Sequence, residues 1–278
     1  MRFKKTVVVQ DREHLMRLVA EHLRTQGAGA SLNHLDVSRV TNMDYVFSHS
    51  VFCGDISQWD TSAVKTMCGM FMGSSFNKNI SGWDTSRVTD MSHMFEAASF
   101  RGELGHWNVG NVRCMASMFD GSVFNGDISG WNVSNCIDFR DMFSDSVFNK
   151  PLSGWDMRHA QTVQGMFSRS KFKQDLSAWN LPLECDTLRL FAGMPATLAM
   201  QKPALWHAKM HLDNWSLPPE GPMRNAMEQL RSIHETLGAD HAQRARDIVR
   251  MLVPKMEGEG AELAEGESWA LEGLLPNP

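Results

Sequence analysis

Ile-Ser-Gly-Trp-Asp-Thr-Ser-Arg-Val-Thr-Asp-Met-Ser-His-Met-Phe-Glu-Ala-Ala-Ser-Phe, from Ile80 to Phe100, is the cleanest copy of a repeat that runs through most of the chain. Tryptophan marks its period, because the same position recurs every 24 residues at Trp59, Trp83, Trp107, Trp131, Trp155 and Trp179. A fixed period in this range is typical of solenoids, in which each repeat packs only on its neighbours. The sequence therefore predicts a solenoid whose coils are 24 residues long.

Apolar residues recur in columns, a column being the set of residues at one position of successive coils. One column is aliphatic: Leu32, Ile56, Ile80, Leu104, Ile128, Leu152 and Leu176. Two are aromatic: Phe47, Phe71, Phe95, Phe119, Phe143, Phe167 and Phe191, then Phe52, Phe76, Phe100, Phe124, Phe148 and Phe172. Methionine precedes most residues of the first aromatic column, and methionine fills irregular gaps in protein cores. We expect these columns and the tryptophans to be buried.

Two local patterns within each coil predict its secondary structure. Residues 64–71 place apolar side chains at i, i+3, i+6 and i+7, which indicates a short helical stretch capped by residues 60–62. Residues 76–83 place Phe76 and Ile80 on the same side of an extended segment. We therefore expect each coil to contain a strand, a turn and a helical stretch, with the strands forming a narrow parallel sheet.

The chain on either side of the coils differs in composition, which predicts four parts. Residues 1–28 read as a strand over 4–9 and a helix between Asp11 and Gly27, forming a cap on the first coil. Residues 29–195 hold about seven coils, and the column that starts at Val40 degenerates to Glu184 near their end. An α-helical segment over 196–256 and an acidic tail over 257–278 follow.

The repeat resembles that of the BspA-type leucine-rich-repeat surface proteins of bacteria, mycoplasma lipoproteins included. The matching pattern is Phe-Asn-x-x-Ile-Ser-x-Trp-Asp-Thr-Ser-x-Val-Thr-x-Met-x-x-Met-Phe, and it covers about residues 29–195. The resemblance implies an α/β fold, a right-handed leucine-rich-repeat-like solenoid with an N-terminal strand-helix cap and a C-terminal α-helical segment. It also implies a protein that binds host or extracellular proteins at the cell surface.

Composition narrows the range of functions. A net charge of −5 argues against nucleic-acid binding, which requires a basic face. No run of 18 apolar residues is present, so we expect no membrane span. The five cysteines form no Cys-x-x-Cys pair and suit a reducing compartment. With no signal-peptide core at its start, the protein is expected in the cytoplasm, and secretion by a non-classical route stays open.

Motifs for catalysis, metal binding or cofactor binding are missing from the sequence. His207 and His211 have the spacing of a metal pair, but no third ligand or adjacent catalytic glutamate accompanies them. The sequence has no glycine-rich phosphate loop and no nucleophile elbow. We therefore predict no catalytic residue, no metal site and no cofactor.

The candidate binding site is a shallow, mostly acidic face on the sheet side of the solenoid. Its residues are Asp55, Ser57, Asn79, Ser81, Glu103, His106, Asp127, Ser129 and Asp175. A basic or polar protein would suit such a face. Alternatively, these serine and asparagine rows form hydrogen bonds that satisfy the turns between coils.

These patterns favour a non-enzymatic bacterial solenoid for protein–protein interaction, with its partner unknown. The helical segment over 223–253 is expected to offer a second contact. Two alternatives stay open at this point: a secreted effector or toxin-like protein, and a surface adhesin that uses the repeats to recognise a host or target.

Overall fold

The computed structural model describes residues 7–182 and 184–194, and predictions for residues 196–278 lie outside this part of the chain. It contains strand β1 (Val7–Val8), helix α1 (Arg12–Gln26) and strand β2 (Leu35–Asp36). Strands β1 and β2 pair in parallel, with Val7 opposite Leu35. The predicted N-terminal strand is thus confirmed at Val7–Val8.

Helix α1 has the ends that the sequence predicted. The Asp11 side chain accepts a hydrogen bond of 2.8 Å from the His14 backbone N–H, satisfying one of the unpaired donors of the first turn. Gly27 ends the helix with φ 81°, a left-handed conformation that favours glycine. Leu15, Val19 and His22 form the buried side of the helix.

After α1, successive 24-residue coils stack with their equivalent residues in parallel register. We number the coils from residue 29. Isolated parallel bridges link Asn42 to Thr66, Thr66 to Asp90, Asp90 to Cys114, Cys114 to Asp138, Asp138 to Thr162 and Thr162 to Asp186. Every bridge joins residue i to residue i+24, so a column of the sequence is also a column in space.

The predicted apolar columns are buried, which confirms the predicted core. Each repeat tryptophan is only 3–4% exposed, and its indole N–H donates to a backbone carbonyl of the preceding coil, as Trp107 does to Ile80 O at 3.1 Å. Phenylalanines of the Phe47 column stack on one another with ring centroids 5.5–5.7 Å apart. Each tryptophan therefore ties two coils together through both its ring and its N–H group.

The predicted helical stretch within each coil is wrong. In residues 67–74, alternate N–H groups donate to the next coil, as Gly69 does to Ser92 O at 2.8 Å. The N–H groups between them donate three residues back, as Met72 does to Gly69 O at 3.1 Å. We call this arrangement the turn ladder: residues 43–49, 67–73, 91–97, 115–121, 139–145, 163–169 and 187–193. A helix is excluded because every fourth residue of the ladder has positive φ, Gly69 at 56° and Gly73 at 62° among them.

The predicted sheet also lies in a different segment from the one expected. Residues 76–83 form no bridge, and Trp83 N donates to Ile80 O at 3.2 Å, which makes residues 80–83 a β-turn. The parallel bridges occur instead at the start of each turn ladder. Same-parity apolar residues cannot distinguish a strand from an irregular extended segment, so the pattern misplaced the sheet.

One column shifts by a residue in the last coil. The sequence alignment places Glu184 in the column that starts at Val40, but Glu184 is exposed and Cys185 is buried. Cys185 N donates to Pro182 O at 3.1 Å, in the role that Ala160 N plays toward Met157 O one coil earlier. A single extra residue before Cys185 accounts for the shift.

Candidate interaction surface

Two surfaces of the stack run along all its coils. The turn face comprises residues 55–58 and their equivalents at 79–82, 103–106, 127–130, 151–154 and 175–178, and it contains all the predicted binding residues. The ladder face comprises the outward side chains of the turn ladder and the bridge residue that precedes each ladder segment. Because the bridges lie at the ladder, the predicted residues are not on the sheet side of the stack.

On the turn face, short polar side chains hold the backbone in local turns. Asp55 Oδ1 accepts from Ser57 N at 2.9 Å, and Asn79 Oδ1 accepts from Ser81 N at 3.0 Å. Asp127 and Asp175 accept in the same way at 2.9 and 2.8 Å. The backbone hydrogen bond from Ser57 holds the pKa of Asp55 below its usual range. The alternative interpretation of these rows, as turn-satisfying hydrogen bonds, is confirmed at these positions.

Glu103 and His106 depart from that turn pattern. Both are exposed, and among the described hydrogen bonds neither side chain caps a turn. The structure brings the predicted residues together in one surface, but it gives most of their side chains a local structural role.

The ladder face differs because its residues change type from coil to coil. Two of its columns have positive φ: Tyr45, Gly69, His93, Ser117, Asp141, Gly165 and Arg189, then His49, Gly73, Ala97, Gly121, Asp145, Arg169 and Gly193. Two others are Asp44, Cys68, Ser92, Ala116, Arg140, Gln164 and Leu188, then Ser48, Met72, Glu96, Asp120, Ser144, Ser168 and Ala192. The bridge residues complete it. Backbone bonds build this face, so its side chains are free to vary.

At the N-terminal end of the ladder face, uncharged groups form a hydrogen-bonded network across three coils. Asp44 Oδ1 accepts from Thr66 Oγ1 at 2.6 Å and from Cys68 N at 2.8 Å. Cys68 Sγ lies 3.3 Å from the Tyr45 hydroxyl and 3.2 Å from Ser92 Oγ. The hydrogen bond with Cys68, together with burial, raises the pKa of Tyr45 to about 12. Tyr45 therefore stays neutral at physiological pH.

Glycines let large side chains of the ladder lie flat over the next coil. A Cβ atom at Gly69 would come within 2.2 Å of the Tyr45 ring, and one at Gly73 within 2.4 Å of His49 Nδ1. The alternation of large and small residues keeps this part of the face low. The alternation is visible in the sequence, and we did not use it to locate the ladder.

In the middle of the ladder face, carboxylates crowd together. Ala97 N donates to Asp120 O at 2.7 Å, so Glu96 and Asp120 stand at equivalent positions on neighbouring coils, about 5 Å apart at the backbone. Burial raises the pKa of Asp120 to about 6, with the charges of Glu96 and Asp141 adding to the effect. Burial also raises the pKa of Asp141.

Toward its C-terminal end the ladder face carries ion pairs. Arg140 contacts Asp138 at 2.6 Å, and Arg169 pairs with Asp145 on the preceding coil. The hydrogen bond from Arg169 lowers the pKa of Asp145. The ladder face thus changes from neutral to acidic to ion-paired along the stack.

The described residues hold no group of three His, Cys, Asp or Glu side chains placed to bind a metal ion. Within the same part of the chain, no helix is long and apolar enough to cross a membrane.

The sequence matches the family model DUF285, whose description is "Mycoplasma protein of unknown function", over residues 16–123 and again over residues 97–201. These two matches together cover about two thirds of the chain. No curated protein and no solved structure matches the sequence significantly. The chain therefore belongs to the DUF285 family.

Proposed function

We propose that this protein is a non-enzymatic protein-interaction solenoid of the BspA-type leucine-rich-repeat kind, right-handed, with another protein as its partner. The quoted repeat and the register of one residue with its equivalent 24 residues later support this architecture. Its rigid core of stacked tryptophans and phenylalanines would hold an extended surface in a fixed shape.

One observation carries the proposal: the buried columns keep their residue type from coil to coil, whereas the ladder face changes at nearly every coil. The column that begins at Tyr45 contains six residue types in seven coils. Since backbone bonds build the ladder, folding leaves the choice of its outward side chains open. A non-repeating pattern on a repeating scaffold is what selective recognition of a protein surface requires.

The ladder face therefore replaces the turn face as our candidate binding surface. Asp55, Asn79, Asp127 and Asp175 on the turn face are committed to local turns by their hydrogen bonds. Glu103 and His106 remain available, but they are two residues on a face made mostly of small side chains.

Capture experiments with matched variants test this proposal. The full chain serves as bait in cell lysates, alongside a ladder-face variant (Tyr45→Ala, His93→Ala, Arg140→Ala). The control is a turn-face variant (Gln58→Ala, Glu103→Ala, His106→Ala), and circular dichroism verifies the fold of each.

We expect the unmodified chain to retain a specific protein, the ladder-face variant to lose it and the turn-face variant to keep it. Loss by the turn-face variant alone would refute the choice of surface. A pure chain that captures nothing and instead turns over a small molecule would refute the function.

A further inference from the structure

The negative charge of the coils is concentrated on the ladder face. Its five columns carry eight carboxylates and three arginines, whereas the remaining described residues carry twelve carboxylates and thirteen lysines and arginines. The face is therefore acidic by five charges, and the other described surfaces taken together are close to neutral. Such an asymmetry attracts basic partners and steers their approach.

The carboxylates of Glu96 and Asp120 are the part of this face that lacks a strong cation. Asp138 and Asp145 each have an arginine partner. Glu96 contacts only His93, through Nδ1 at 2.5 Å, and no lysine or arginine of the described residues forms an ion pair with Asp120. Two carboxylates on neighbouring coils without an intervening cation repel each other.

Small residues keep this pair open to a partner. The positions beside Glu96 and Asp120 in the neighbouring column are Ala97 and Gly121, and both are exposed. The other long side chains of that column, His49 and Arg169, lie two or more coils away. An incoming cationic side chain would meet no bulky residue in that column above the pair.

We propose that the ladder face binds its partner through a lysine or arginine side chain placed between Glu96 and Asp120, above Ala97 and Gly121. This inference rests on the proposed function, since it names the chemistry of the partner at the same surface. A cation at this place would contact both carboxylates and remove their mutual repulsion.

The test uses the full chain and a ten-residue oligolysine peptide, with oligoglutamate and Gly-Ser peptides as references. The ladder variant Glu96→Gln/Asp120→Asn is compared with the turn-face control Glu103→Gln/Asp127→Asn, which removes the same charge from neighbouring coils. We expect the ladder variant to bind oligolysine about tenfold more weakly than the unmodified chain, and the control to bind within about twofold of it.

A second readout separates local contact from general attraction. Bound lysine favours the ionised carboxylate, so oligolysine should lower the pKa of Asp120 as measured by NMR titration of its carboxyl carbon. Equal loss of binding in both variants, or an unchanged pKa in the complex, would overturn the inference.

The two proposals fail in different ways. If a captured protein depends on the ladder face while oligolysine binds both double variants equally, the cation inference is wrong and the binding face stands. If capture is indifferent to the ladder-face variant, the proposed function is wrong.

Discussion

The turn face and the ladder face are both exposed, but different bonds hold them. On the turn face an Asp or Asn side chain bonds to a backbone N–H two residues ahead, as Asp127 does to Ser129 N. On the ladder face each outward residue is held by backbone bonds to the next coil, as His93 N is to Ala116 O at 2.8 Å. A surface built by side chains must repeat them, whereas a surface built by the backbone can vary them.

The largest expected effect concerns the core that both faces share. Trp107→Ala removes a buried ring and leaves the Ile80 carbonyl without its indole donor. We expect the free energy of unfolding to fall by about 3–5 kcal/mol, measured by urea denaturation. The neighbouring exposed substitution His106→Ala is the control and should change it by less than about 0.5 kcal/mol. Similar losses for the two would refute the assignment of tryptophan as a buried strut.

Close packing between coils gives the next effect. A Cβ atom at Gly54 would lie 2.1 Å from the backbone oxygen of Ala30, which cannot move without displacing the first coil. We expect Gly54→Ala to destabilise the protein by about 2 kcal/mol in thermal denaturation. Gly82 has open space around it, so Gly82→Ala should have little effect. An unchanged melting temperature for Gly54→Ala would argue against this contact between the first two coils.

Crowded carboxylates on the ladder face make stability depend on pH. The pKa of Asp120 is raised from 3.8 to about 6, so the folded state holds a proton that the unfolded state releases between these values. The stabilisation is full below pH 4 and is lost as pH rises through 6. Asp120 is only half-buried and solvent screens its charge, which limits the effect to about 1 kcal/mol.

Asp120→Asn tests this directly. The variant should be more stable than the unmodified chain by about 1 kcal/mol at pH 7.5 and no more stable at pH 4, in parallel urea titrations. Asp127→Asn on the turn face serves as the control, since hydrogen bonding lowers the pKa of Asp127. A stability difference for Asp120→Asn that does not vary with pH would contradict the role of crowding.

The smallest effect concerns the left-handed backbone of the ladder. Ala97 has φ 50°, a conformation that costs an L-residue about 1 kcal/mol and glycine almost nothing. Ala97→Gly should therefore stabilise the protein by about 0.5 kcal/mol after the entropy cost of glycine. Ala178→Gly, at an exposed turn-face position without positive φ, should destabilise it, and the same sign for both would be inconsistent with the ladder geometry.

The sequence predicted the features that repeat and missed those that do not depend on side-chain period. Register, buried columns and helix α1 followed from the 24-residue spacing and from Asp11 and Gly27, because burial and capping have direct sequence signals. The ladder did not, since residues 67–71 satisfy a helical pattern equally well. What distinguishes it is a repeat of four residues per ladder turn, marked only faintly by Gly69 and Gly73.

The same reasoning explains the misplaced candidate site. Rows of Asp, Asn and Ser on the turn face looked like a binding surface because they repeat, and they repeat because the turns need them. The variable positions of the ladder face carry no period, so a search for repeats passes over them.

Residue-resolved hydrogen exchange of the full chain tests the contrast between the two faces most directly. The amides of Gly69, His93 and Ser117 bond to the next coil, whereas those of Ser57, Ser81 and Ser129 bond to exposed side chains of their own turns. We predict that the ladder amides exchange at least about a thousandfold more slowly, because releasing them requires separating two coils. Equal exchange rates for the two sets would contradict a ladder held by the backbone.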